Sequence, residues 1–178
     1  MNSFAVFLRG INVGGINIKM ADLRTALAAL ELESFSTLLA TGNIVCSTAL
    51  AAGALKTAVE ECLRANFGYD AWVVVLDGGR VAELVAAAPY PPDSAENHCY
   101  ITLASDPAAL DRLLELAAAA GEESAVRIGS EAIAWLAPVG GTLDSPFSKV
   151  SSKATFRATT TTRNLRTLIK IRDALEPK

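Results

Sequence analysis

A chain of 178 residues that is 51 % apolar and 20 % charged has the side chains for a core burying roughly 70 % of its unfolded surface, and disorder is excluded. No apolar run approaches the roughly 20 residues of a membrane span, and "MNSFAVFL" has no basic region before Arg9, so neither a span nor a secretory signal is expected. The net charge of −3 is uneven: residues 1–140 carry 8 Lys/Arg against 16 Asp/Glu, and residues 141–178 carry 8 against 3, so the basic tail is expected to face an anion or the acidic body of its own protein.

In chain order, "SFAVFL" (3–8) is a short continuous apolar run and predicts a buried strand. A glycine-rich turn follows, and Met20, Leu23, Leu27 and Leu30 recur at helical spacing, predicting a helix from about 20 to 31. "STLLAT" and "IVCST" flank Gly42-Asn43 and predict a hairpin. Leu55, Val59, Cys62, Leu63 and Phe67 mark a second helix capped by Gly68, and "AWVVVLD" is another strand. The order β-α-β-β-α-β over residues 3–77 is the split β-α-β arrangement of ferredoxin-like folds. Right-handed crossovers make the first two strands parallel, so the loop from Arg9 to Asn17 and the Gly42-Asn43 turn should meet at one sheet edge.

In the second half, "GRVAELVAAA" predicts a helix and "PYPPD" a stiff connector. "HCYITLAS" is a strand, residues 107–120 a helix with Pro107 near its start, and "SAVRIG" with "AIAWLAP" a second hairpin. Thus 98–138 repeats β-α-β-β without a matching sequence repeat, as if a second such unit began and its later part was replaced. The expected fold class is α+β: a ferredoxin-like sub-domain over 1–77, and a second α+β sub-domain over 78–178 that ends in a basic helical segment, the two packed as one body.

The candidate chemistry lies in loops. The stretch after the first strand lacks the lysine of a phosphate-binding P-loop and the GxGxxG of a dinucleotide site. Gly10, Gly14 and Gly15 permit close approach of a ligand to the backbone, and Arg9, Asn12 and Asn17 supply donors, so the loop suits an anion. The competing reading is a loop whose asparagines satisfy their own backbone. In "TTTTRNLRTLIKIRDAL", Leu165, Leu168, Ile169 and Leu175 form an apolar stripe, predicting a helix from 162 or 163 with Thr161 or Thr162 as its N-cap. Arg163 at such a start makes an anion site, and an ordinary cap with a solvated basic face is the plainer alternative. Ser148-Lys149 and Ser152-Lys153 are weak material for a nucleophilic pair, because adjacent residues do not face each other. His98 opens a strand and is either a ligand-contacting group or merely structural. Cys46, Cys62 and Cys99 show no metal or disulfide spacing and are expected as reduced, packed thiols in the cytoplasm.

"LRGINVGG", "ATGNIV", His98, a Ser-Lys pair and "TTRNLRTL" occur in one order over nearly the whole chain. In this the sequence resembles the bacterial family catalogued as domain of unknown function 1697. The resemblance implies an α+β protein of ferredoxin-like build, bacterial and cytoplasmic, and carries no known activity. It marks Arg9, Gly10, Asn12, Gly14, Gly15, Gly42, Asn43, Thr161, Thr162, Arg163 and Asn164, with Thr41 where the family has serine and Leu165 where it commonly has tryptophan. The expected site gathers these residues with Asn17, His98, Ser148 and Lys149 around a small phosphorylated or carboxylated molecule. The sequence names no cofactor or metal and expects no membrane partner. A structural or oligomerising module and an RNA- or DNA-binding module are the alternatives, the last opposed by a pI near 5.2 and the absence of patterned aromatics.

Overall fold

The computed structural model describes residues 2–9, 11, 16–157 and 159–176. It is an α+β fold with two four-stranded antiparallel sheets. The chain divides into two compact units, residues 1–81 with 171–178, and residues 82–170.

In the first unit, β1 (Asn2–Leu8), α1 (Met20–Leu27), β2 (Ser34–Leu38), β3 (Asn43–Thr48), α2 (Ala52–Phe67) and β4 (Val73–Asp77) follow in the β-α-β-β-α-β order read from the sequence. The sheet order is β2-β3-β1-β4. Both β1 and β2 run antiparallel to β3, so they run parallel to each other and their carboxyl ends share an edge. One sheet face, with Phe4, Val6, Leu8, Ile44, Cys46 and Val73, packs on Leu23 and Leu27 of α1 and Leu55, Val59 and Leu63 of α2. Alternation sends Ala5 and Phe7 to the other face, where they are buried as well. The first helix is shorter than its apolar spacing predicts. After Leu27 the amides of Ala29 and Leu30 bond three residues back, which tightens the helix and ends it. Helix α2 ends as predicted, with Gly68 at φ +65° and its N–H on Arg64 O.

Helix α3 (Gly78–Ala87) crosses the boundary between the units. The second unit holds β5 (Asn97–Ala104), α4 (Pro107–Ala119), β6 (Val126–Gly129), β7 (Ala132–Pro138), a 3-10 turn (Thr142–Asp144), α5 (Pro146–Ser151), α6 (Ala154–Arg157) and β8 (Thr160–Asn164), and α7 (Leu165–Leu175) begins there. Its sheet order is β6-β7-β5-β8, the same connectivity as in the first sheet. The later part of this second unit is therefore present rather than replaced. Two short helices stand for the second helix, and the threonine run is the fourth strand.

That run corrects the expected helix start at 162 or 163. Consecutive β-branched threonines favour extended backbone, and β8 pairs with β5 from Thr160 opposite Ala104 to Asn164 opposite Tyr100. The helix begins only at Leu165. Asn164, not Thr161 or Thr162, caps it, its Oδ1 accepting the Arg166 N–H at 2.8 Å. The inner sheet face, with Ala104, Ile133, Trp135 and Ala137, packs on Leu110, Leu113 and Ala117 of α4 and on Phe147, Val150 and Phe156 of α5 and α6. No helix among the described residues is long and apolar enough to cross a membrane.

Candidate functional site

In the first unit the edge that carries both carboxyl ends is closed by backbone. The N–H of Leu8 donates to Gly42 O at 2.8 Å, which sets half-buried Arg9 beside the β2–β3 turn. Gly42 adopts φ +74°, and a Cβ there would lie 2.6 Å from Ile11 Cδ1 and 2.9 Å from Leu8 Cβ. Both the backbone angle and the space require glycine. Asn43 is fully buried, and its Nδ2 donates to Leu38 O at 3.0 Å and to Thr41 Oγ1 at 2.9 Å. Those donors hold the turn. Asn17 is exposed, and Gly10, Asn12, Gly14 and Gly15 lie outside the described residues.

In the second unit the TTRN strand divides by alternation. Thr162 points to the inner face, where its hydroxyl lies 2.8 Å from that of Thr102, which accepts the Trp135 indole N–H at 3.0 Å. Thr161 and Arg163 are buried on the other side. Arg163 Nη1 donates to Thr161 Oγ1 at 2.7 Å and to Thr162 O at 2.9 Å, and burial pulls its pKa down to about 10. Ser148 and Lys149 sit on α5, where the Ser148 N–H meets the N-cap hydroxyl of Ser145 and Lys149 is exposed. Neither makes a hydrogen bond or ion pair with His98.

His98 does join the start of α7, through a residue the sequence reading passed over. Its Nδ1–H donates to Asp93 Oδ1 at 2.6 Å, the tautomer that a carboxylate partner selects. The other carboxylate oxygen, Oδ2, pairs with Arg166 Nε at 3.1 Å. Asp93 closes the proline connector against β5 by a bridge to His98, and Arg166 is the second residue of α7. One carboxylate thus orients both an imidazole and a guanidinium. His98 Nε2 and the two Nη groups of Arg166 have no hydrogen-bond partner among the described residues, and the side chains are 24 % and 57 % exposed. Asn164 completes the arrangement as the cap beneath Arg166. Asp93 was hidden because its connector reads as a spacer, and Arg166 because it reads as one charge on a solvated helix face. The available signal was a carboxylate five residues before the only histidine.

No group of three metal-ligating side chains converges among the described residues. Cys46 and Cys99 are buried free thiols whose pKa burial pushes up to about 11, which leaves them unreactive packing groups near neutral pH.

A family model described as "Protein of unknown function (DUF1697)" matches residues 1–133. No curated protein matches the chain in sequence. Among solved structures, a conserved bacterial protein from Streptococcus pneumoniae is similar, with a TM-score of 0.77 at 23 % identity over 98 % of this chain and 99 % of that one. At that identity the likeness concerns the fold.

Proposed function

This chain belongs to the DUF1697 family of proteins of unknown function, and from that premise we propose that it binds a small anionic molecule, phosphorylated or carboxylated. The observation that carries the reading is the Asp93 carboxylate held between His98 and Arg166. Its charge is met on both oxygens, while the Nη groups of Arg166 remain as a planar pair of donors suited to two oxygens of one anion. His98 adds Nε2 at the same cluster, an acceptor for a ligand hydroxyl. Of the residues expected at the site, this reading keeps His98 and Asn164 and adds Asp93 and Arg166.

Thermal unfolding with phosphate, sulfate, sugar phosphates, nucleotides and small carboxylates tests it. A ligand at a hundred times its Kd raises Tm by about 5–11 °C for a chain of this size. That rise should be lost in Arg166→Gln and reduced in His98→Asn. An equal rise in Arg166→Gln, or no rise with any of these anions, refutes the reading.

A second reading, a structural module without ligand, draws on Asn43 and Arg163, whose buried side-chain nitrogens bond within their own turn and strand. Substitution at those two positions should then lower stability and leave every ligand response unchanged.

A further inference from the structure

The basic tail stood between two readings, an external anion and the protein's own acidic body, and the cations of α5 and α6 answer for their part of it. Between Ser145 and Lys170 the chain carries six cations and no carboxylate. Arg163 is buried and Arg166 pairs with Asp93. Lys149, Lys153 and Arg157 are exposed, and their side-chain nitrogens have no partner among the described residues. They recur every fourth residue on two consecutive short helices: the Ser152 N–H bonds back to Ser148 O, the Lys153 N–H turns in to Val150 O, and the Arg157 N–H bonds to Lys153 O. All three stand at the surface of these helices, whereas Phe147, Val150 and Phe156 are buried in the core.

Just before this row stands an apolar side chain that the fold exposes. Leu143, in the 3-10 turn, is 85 % exposed. Its turn is fastened: Ser145 Oγ donates to Thr142 O at 3.1 Å and accepts the Ser148 N–H at 3.1 Å, and the Thr142 hydroxyl lies 3.2 Å from that of Tyr100. A leucine on an anchored turn forgoes its burial energy without a gain in freedom of the backbone beneath it. Both aromatic residues of α5 and α6 are buried, so the surface offers no platform on which bases stack.

We propose that the 3-10 turn, α5 and α6 form a docking surface for an acidic protein segment that carries one apolar residue. Its carboxylates meet Lys149, Lys153 and Arg157, and its apolar residue covers Leu143. Leu143 supplies an anchor and the cation row supplies orientation and partner choice.

Fluorescence anisotropy with a labelled helical peptide tests this, the peptide bearing three glutamates at four-residue spacing and one leucine a turn ahead. Wild-type protein should bind it, and added salt should weaken the complex. K149Q/K153Q/R157Q should lose affinity by about tenfold or more and most of the salt dependence. Leu143→Ser should lose about tenfold with the salt dependence intact. Unchanged tryptophan emission in both variants certifies the fold. No binding at millimolar peptide, or unchanged affinity in either variant, overturns the proposal. So does tighter binding of labelled oligouridine at this face, or salt-reversible self-association that the triple variant abolishes.

Discussion

Thr102 and Thr162 stand opposite each other on β5 and β8, with their hydroxyl oxygens 2.8 Å apart. Because Thr102 Oγ1 already accepts the Trp135 indole N–H, its own proton is free to go to Thr162. The result is a short polar chain inside an aromatic stack, where Trp135 lies between Tyr100 and Phe147 at centroid distances of 5.0 and 4.6 Å. Thr162→Val removes one hydrogen bond and keeps the β-branched shape, so it should cost about 1 kcal/mol. Thr102→Val also leaves a buried indole N–H without its acceptor, and should cost about 2–3 kcal/mol. Denaturant midpoints followed by tryptophan emission check both. Equal losses would show that the indole contributes nothing to the chain.

Gly42 makes a second, geometric prediction. Its φ of +74° disfavours any L side chain, and an added Cβ would press on Ile11 Cδ1 and on Leu8 Cβ. The Ile11 side-chain end can rotate away, but Leu8 Cβ is fixed to a central strand. Gly68 is the control, with φ +65° and nothing within 4 Å of its added Cβ. Gly68→Ala should cost about 1 kcal/mol for the backbone alone, and Gly42→Ala about 2–4 kcal/mol once crowding is added. Comparable midpoints for the two variants would contradict the crowding.

Legibility from sequence followed the range of the interactions. The first unit was readable because local signals agreed: "SFAVFL" and "VVVL" are apolar runs, and Gly68 follows the last apolar residue of its helix. The threonine run was misread because threonine suits both an N-cap and a strand, and the choice is made by β5, nearly sixty residues earlier. Without that pairing the second sheet lacked its fourth strand, and the shared connectivity of the two sheets went unseen. His98 stood out as the only histidine, but a lone residue does not name its partners. Asp93 and Arg166 each have an ordinary local explanation, and only the fold brings an imidazole and a guanidinium to the two oxygens of one carboxylate.

Tyr69 carries the pH prediction. It packs on the first core just past the cap of α2, and its hydroxyl is buried with no hydrogen-bond partner among the described residues. Burial disfavours the phenolate and pushes the pKa from about 10 up to about 12. As pH rises from 10 toward 12, the unfolded chain loses this proton while the folded one keeps it. The folded state then binds more protons, so stability falls with pH across that window. The contribution is fully present below pH 10 and gone once pH passes 12. Tyr69→Phe removes both the unsatisfied hydroxyl and the titration. The variant should be more stable at neutral pH by about 1 kcal/mol, and should lose less stability above pH 10. Part of the decline will persist, since Cys46 and Cys99 shift in the same direction, to about 11, and remain in the variant. Urea unfolding of both proteins between pH 7 and 11 measures the difference. A variant less stable at neutral pH, or one with an undiminished alkaline slope, would mean that the hydroxyl has a partner in solution and is not the source of the slope.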